Sequence, residues 1–484
     1  MALHLSAPVQ PSVCFGSTGF LGLKKYSLPL TERHTHLYCI GTTGQGKSKF
    51  LENLLVQDIL AGRAAGLVDP HTDLARDTLS HLASVGYFRD PNAYQRVIYF
   101  DPTRSDYLLP FNILKSPFHP YIVAQQVIEA FRRTWPQALE EAPRFSNIAL
   151  AALLVLIETG QTLVEMPTLL TNKSYREQQL KQVQNSDLIE YFHSRFDKWD
   201  REGAAMTESV LNKVTAFTFN PYLKHILGAS DNRLDFKQIM NQGKVLIVDL
   251  GRCDPETRRL VGSLVTTGME MAAMSRIDEV GERRPFYLFI DEFQDFSANE
   301  GAAKTLAQIL SECRKFGLYL HLAHQTLGQL HSRISSALGN VGIRVVFSID
   351  REDAVIMAPK LFSVDTEAVK HDAPTENQHP LFENLQNQWE NATATIQRLS
   401  PRHALIKRRN APAVQIKTAR IPSYGVTHSD VDILQKELAR THGLPLDCST
   451  SSRLAKPPAT SSIQLIDWEP LASGARGGSD STMT

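Results

Sequence analysis

Seven short apolar runs punctuate the chain, and most of them lead into amphipathic stretches of helical period. They are Leu37–Ile40, Ala65–Val68, Val97–Phe100, Val245–Val248, Tyr287–Ile290, Leu318–Ala323 and Ile343–Ser348. Short runs without polar alternation are strands buried on both faces, and helices placed between such strands produce a mainly parallel sheet. The expected class is therefore α/β.

The rhythm breaks from Pro117 to about Ser230, where no strand pattern stands out. Val123, Val127, Ala130, Phe131 and Trp135 recur at the spacing of one buried helix face, and Ile148–Ile157 reads as a helix buried nearly all round. A crossover between parallel strands usually needs only about a dozen residues, so residues 117–230 are expected to form an all-helical insertion. It would divide a core into parts at 37–116 and 231–420. Residues 1–36, punctuated by Pro, Gly and Ser, read as loops with short strands. Residues 421–484 turn polar, and from Cys448 onward Ser, Thr, Pro and Gly dominate, the composition of a disordered tail.

Composition changes this picture little. Lys plus Arg (51) balances Asp plus Glu (51), so any contact with nucleic acid must come from local patches. The five cysteines stand far apart with no CxxC pair, which points to a reducing, cytoplasmic setting without structural zinc. The longest purely apolar run, Ile148–Ile157, has half of the roughly 20 residues a membrane-spanning helix requires, and no secretory signal pattern opens the chain. Membrane insertion by the chain itself is not expected.

The chemistry concentrates at strand ends. Gly41-Thr42-Thr43-Gly44-Gln45-Gly46-Lys47-Ser48 fits G-x-x-x-x-G-K-[ST], preceded by a strand and followed by a helix, the context in which such a loop cradles phosphates. Backbone N–H groups and the helix N-terminus would hold the β-phosphate, Lys47 would reach the β and γ oxygens, and Ser48 would ligate magnesium. The strand Phe286–Ile290 runs into Asp291-Glu292, which at the same sheet edge would hold the metal shell (Asp291) and polarise the attacking water (Glu292). The alternative is the acidic first turn of a solvated helix.

Further along, Ser297-x-x-Glu300 reads as a capping box and Gly317 as a helix stop. Gln325, closing the strand after Leu318, would sense a γ-phosphate or position water; a satisfied strand-end amide is its plain alternative. Arg314 lies at the opposite end of that strand and suits an arginine finger offered to a neighbouring subunit, although a cation at a helix C-terminus needs no function. Asp69 and Asp249 also end strands and could stand in the outer shell of the magnesium, with a turn role preferred for Asp249.

Taken in order, Gly41 to Ser48, Leu67-Val68-Asp69-Pro70-His71, Ile98-Tyr99-Phe100-Asp101-Pro102, Leu246 to Leu250, Asp291-Glu292-Phe293-Gln294, Ser311 to Lys315 and Ala323-His324-Gln325 resemble the HerA/FtsK superfamily. Within it the chain resembles the conjugative, TraD-like coupling proteins of type IV secretion. The resemblance spans roughly residues 35 to 420. It implies a RecA-like P-loop NTPase core with an all-helical domain, and ATP and Mg²⁺ held by Walker A and Walker B elements. It also implies homo-hexameric rings that thread DNA without regard to sequence, and relaxase, nuclease or secretion-channel partners. Family members commonly carry membrane-spanning helices before the core, and no such stretch precedes Leu37. Two further readings stay open: a P-loop switch that governs partner assembly, and a motor for protein substrates.

For DNA itself the candidates are Arg402, Lys407, Arg408, Arg409, Lys417 and Arg420, a stretch without an acidic residue, and Arg132 and Arg133 in the helical segment. A solvated strand face is the plainer account of the stretch.

Overall fold

The computed structural model describes residues 12–446 except 20–21, 136–142, 199–200, 278–280, 282, 297–299, 331, 366–368, 372–380, 383 and 422–423. At its centre is an eleven-stranded sheet. In chain order the strands are β1 (Ser12–Thr18), β2 (Lys24–Pro29), β3 (Leu37–Ile40), β4 (Ala64–Asp69), β5 (Val97–Phe100), β6 (Val245–Asp249), β7 (Phe286–Ile290), β8 (Leu318–His324), β9 (Ile343–Val346), β10 (His403–Arg408) and β11 (Val414–Lys417). Their order across the sheet is β2-β1-β11-β10-β9-β3-β8-β7-β4-β6-β5.

The seven strands predicted from apolar runs make up one unbroken parallel block, β9 through β5, joined by parallel pairings throughout. The other four strands extend it with antiparallel pairings. Among the described residues before Leu37, β1 and β2 form more than short isolated strands: they pair as a hairpin that reaches the core through β11. The helical turn Leu30–Arg33 that follows the hairpin is anchored by a buried ion pair, in which Arg33 Nη2 lies 2.7 Å from Asp58 Oδ2 with both side chains at 0% exposure.

Side chains alternate between two apolar clusters, as strand geometry requires. On β7, Phe286, Leu288 and Ile290 face one cluster, whereas Tyr287 and Phe289 face the other. The second face is covered by helices α1 (Lys47–Leu60) and α2 (Asp73–Ser84), through Phe50, Leu54, Leu74 and Leu79.

The first face carries the helical part of the chain. Between Pro117 and Ser230 all described elements are helical, including α3 (Pro120–Thr134), α4 (Pro143–Glu158) and α5 (Arg201–Phe219). The two ends of this stretch meet: Phe111 N donates to Ile226 O and Arg233 N to Pro110 O, both at 3.0 Å. Its apolar side chains do not form a separate core. Val127, Phe131 and Leu153 belong to the same cluster as Val68, Val248 and Ile290 of the sheet, so the helices are seated on the strands. Helix α6 (Pro255–Met274) lies against α3 in this layer.

Residues 421–446 correct the expectation of a disordered tail, because they contain helix α7 (His428–His442). Thr427 and Asp430 form a capping box at its start, and Val431, Leu434 and Leu438 bury a single stripe. The helix closes the β5 edge of the sheet. Overall polarity hid it, since three apolar residues at helical spacing suffice when the rest of the helix faces water. The remainder of that segment, 447–484, lies outside the described residues, as does Ser297 of the proposed capping box.

Arg133 and Glu270 face one another across α3 and α6 at 5% and 3% exposure. Burial is the larger influence on Glu270 and lifts its pKa from 4.5 to about 7, although Arg133 opposes the change. A folded-state pKa above the unfolded one stabilises the fold at low pH, and that stability is lost as pH rises towards 7. Glu270→Gln should flatten this dependence: between pH 4.5 and 7 the wild type is expected to lose up to about 1.4 kcal/mol per pH unit more than the variant. Urea midpoints at pH 5.5 and 7.5 check it, and equal pH slopes in both proteins would refute it.

Candidate functional site: the carboxyl edge of the parallel strands

Between β3 and α1, residues Gly41 to Ser48 turn at the carboxyl end of the sheet. Gly46 caps α1 at φ 102°, a left-handed conformation that a side chain would strain. Gly41 is required by closeness instead, because a Cβ there would stand 2.6 Å from Phe347 Cβ. Thr42 N donates to Ser348 O at 2.9 Å, and Gln45 N to Thr42 O at 3.4 Å, so the loop is tied to the end of β9 and to itself. Lys47 is 5% exposed, and its Nζ donates to Gly41 O (2.6 Å) and Thr42 O (3.3 Å). The ammonium is therefore folded into the loop it would present to phosphates.

The loop meets two neighbouring strand ends. Ser48 Oγ donates to Asp291 Oδ2 at 3.0 Å. Thr43 Oγ1 donates to Gln325 Oε1 at 2.9 Å, and Gln325 Nε2 donates in turn to Glu292 Oε1 at 2.8 Å. The other oxygen of Glu292 accepts from Gln294 Nε2 at 2.8 Å. One chain of hydrogen bonds thus runs from the glycine loop to the carboxylate at the end of β7. Glu292 itself has φ 43°, a left-handed backbone uncommon for a residue with a side chain. Gln294 closes the Asp291-Glu292-Phe293-Gln294 phrase, but the sequence assigns it no role; the turn after β7 folds its amide back onto Glu292.

Burial sets the electrostatics. Asp291, 5% exposed, has its pKa raised first by desolvation and then by the neighbouring Glu292, with Ser48 and Lys47 pulling the other way. Such a carboxylate is short of positive charge, which is the environment that draws a cation. Ser48 and Asp291 together fit a divalent cation. Among the described residues no group of three His, Cys, Asp or Glu side chains converges, so such an ion would complete its shell with phosphate oxygens and water.

Asp69 and Asp249 are bonded to other parts of the protein. Asp69 accepts from the backbone N–H groups of His71 (2.9 Å) and Ala75 (2.8 Å), fixing the start of α2, and burial lifts its pKa to about 6. Asp249 accepts from Thr72 Oγ1 (2.7 Å), Tyr99 OH (2.8 Å) and Gly251 N (3.2 Å). Their oxygens are engaged within the protein and not with the glycine loop. His324 is buried and neutral: Nδ1 meets Thr326 O and Nε2 meets Tyr38 OH, which holds the strand end in place for Gln325.

Arg314 is exposed, in the turn before Gly317 and β8, at the sheet edge away from the glycine loop. Seven strand residues separate that turn from Gln325, a span of roughly 20 Å, so Arg314 stays apart from the cluster of its own chain.

The DNA candidates do not share one surface. Arg133 is buried and donates to Thr267 Oγ1 at 2.7 Å, whereas Arg132 is exposed beside Glu129. Arg408 pairs with Glu32 at 2.9 Å. Arg402 turns towards the glycine loop, where its backbone N donates to Gln45 O at 2.9 Å. The basic stretch spans two antiparallel strands and their flanks, and the pleat and turns distribute it over different faces.

Among the described residues no helix is long and apolar enough to cross a membrane. A comparison with curated proteins returns no match. Among solved structures, the conjugative coupling protein TrwBΔN70 in its unbound form superposes with a TM-score of 0.59 at 19% identity, covering 84% of this chain and 91% of that one. TrwB in complex with ADP and Mg²⁺ gives 0.59 at 18% identity, over 84% and 90%. VirB4 of Thermoanaerobacter pseudethanolicus gives 0.55 at 12%, over 86% and 98%. At these identities the likeness is one of fold: a RecA-like P-loop core carrying an all-helical domain. The sequence pattern of the type IV secretion-system coupling protein DNA-binding domain matches residues 22–417. By that match over most of its length, the chain belongs to the family of type IV secretion-system coupling proteins.

Proposed function

We propose that this chain is an ATP-hydrolysing motor that moves DNA, and that it works as a ring in which each nucleotide lies between neighbouring subunits. The observation that carries the reading is the hydrogen-bonded path Thr43–Gln325–Glu292, beside the Ser48–Asp291 contact. It joins a phosphate-binding loop to a carboxylate able to polarise water. In this reading ATP is held by residues 41–48 and Mg²⁺ by Ser48 and Asp291. A γ-phosphate arriving beside Thr43 would compete for Gln325, and the movement of that amide would reorient Glu292 towards the attacking water. TrwB has been seen with ADP and Mg²⁺ and with nucleotide analogues, which supports ATP and Mg²⁺ as ligands here.

The finer parts of the proposal rest on family membership and on placement. Residues 117–230 are taken as an insertion between core parts 37–116 and 231–420. Arg314, roughly 20 Å along β8 from Gln325, is assigned to the neighbour's nucleotide. A homo-hexamer, a cytoplasmic site of action, and a relaxase, nuclease or secretion-channel partner are in keeping with a coupling protein.

Two measurements test the reading. Glu292→Gln should lower ATP turnover by about 10² to 10⁴ while leaving nucleotide affinity near the wild-type value, and DNA should stimulate the wild type. Free turnover by the wild type with no response to DNA would remove the translocase assignment and favour the nucleotide switch. Arg314→Ala and Lys47→Ala should each be inactive alone, yet a mixture should regain turnover, since mixed interfaces combine an intact loop with an intact finger. If the mixture stays as inactive as its parts, the assignment of Arg314 to a neighbouring site fails.

A further inference from the structure

We infer that Arg402 is a ligand of the nucleotide bound by its own chain, contacting the α-phosphate and sugar end on the side of the glycine loop away from Glu292. The inference rests on the nucleotide-binding reading above and adds a residue to it.

The placement follows from strand order. The loop leaves β3; Gln325 and Asp291-Glu292 leave β8 and β7 on one side of it, while Arg402 precedes β10 on the other. Because β10 runs antiparallel to β9, the start of β10 lies at the same edge as the ends of the parallel strands. A triphosphate stretched across the loop with its γ end at Glu292 directs its other end towards Arg402.

The local geometry is built. Arg402 N donates to Gln45 O at 2.9 Å, and Thr418 N donates to Arg402 O at 2.8 Å, so its peptide groups are clamped between the glycine loop and the end of β11. Arg402 Cγ lies 3.6 Å from where a Cβ on Gly46 would be, which sets the side chain over the N-terminus of α1. Its Nη2 donates to Thr418 O at 2.9 Å, while its buried Nε meets no acceptor among the described residues. No carboxylate pairs with it among those residues. A half-buried cation with an unused donor, beside the positive end of a helix, is costly unless an anion joins it.

The backbone supports the same conclusion. Arg402 has φ 66°, a conformation for which glycine is the economical residue. The bonds from Arg402 N to Gln45 O and from Thr418 N to Arg402 O are made by peptide groups, and glycine would keep them, losing only the Nη2 contact to Thr418 O. A structural turn alone therefore does not account for the arginine.

The experiment measures the affinity of fluorescently labelled ADP for the wild type, Arg402→Gly, Arg402→Asn and Lys47→Ala, with urea midpoints and DNA affinity measured alongside. ADP lacks the γ-phosphate, so a finger from a neighbouring subunit is not read. Arg402→Gly should weaken ADP about ten- to a hundredfold with an unchanged or higher urea midpoint and unchanged DNA affinity. Arg402→Asn, which also tolerates a left-handed backbone, should behave alike and covers the case in which the glycine variant does not fold. ADP affinity within twofold of wild type in a folded variant would overturn the inference, as would loss of DNA affinity with ADP retained. If the wild type itself binds no ADP, or Lys47→Ala binds it equally well, the nucleotide-binding reading fails instead.

Discussion

The hydrogen bond from Ser48 Oγ to Asp291 Oδ2 joins two segments more than two hundred positions apart in sequence, and the candidate site depends on the arrangement that permits it. Strands β3 and β7 must point the same way and end at the same level, or the glycine loop and the acidic pair would lie at opposite edges. Parallel pairing through β8 brings the two ends within two residues of one another: Ile40 aligns with His324 and Ile290 with Leu322. The register is held by apolar side chains on both faces, because a slip would move each strand's residues between the two clusters. Packing in the core is therefore what brings the polar groups together.

That edge collects negative charge. Asp69, Asp101, Asp249, Asp291 and Glu292 all end or follow strands and are all nearly buried. Burial raises the pKa values of Asp69, Asp101 and Asp291, and the neighbouring carboxylates add a smaller push in the same direction. The structure offsets this in two ways. Asp69 and Asp249 are neutralised in effect by backbone N–H, hydroxyl and phenol donors. Asp291 is left with one serine donor, one backbone N–H and the nearby Lys47. Of these carboxylates, Asp291 is the one that meets the serine of the glycine loop, which makes it the one best placed to ligate a cation.

The helical stretch and the sheet share one apolar cluster. A change at the nucleotide edge that shifts β7 or β8 would be felt by α3 and α6, since close-packed interiors transmit displacement where loose ones would absorb it. The adjoining backbone contacts at Phe111 and Arg233 hold the base of the helical stretch beside the sheet.

Much of this was legible in the chain. The seven parallel strands were marked by apolar runs, because a strand covered on both faces leaves no polar positions to confuse the pattern. The glycine loop was marked because backbone curvature and a phosphate-sized cradle demand particular residues at fixed spacing. Strands β1, β2, β10 and β11 were obscured by the mixed polarity of strands at the half-covered end of a sheet, and α7 by its largely solvated surface. Gln294, the Thr43–Gln325 contact and the turn of Arg402 onto Gln45 carried no signal of their own. Each is a single polar residue whose partner is chosen by how distant segments are stacked. Apolar periodicity is local and survives in the sequence, whereas a hydrogen bond between strand ends exists only once the sheet has set their order, direction and level.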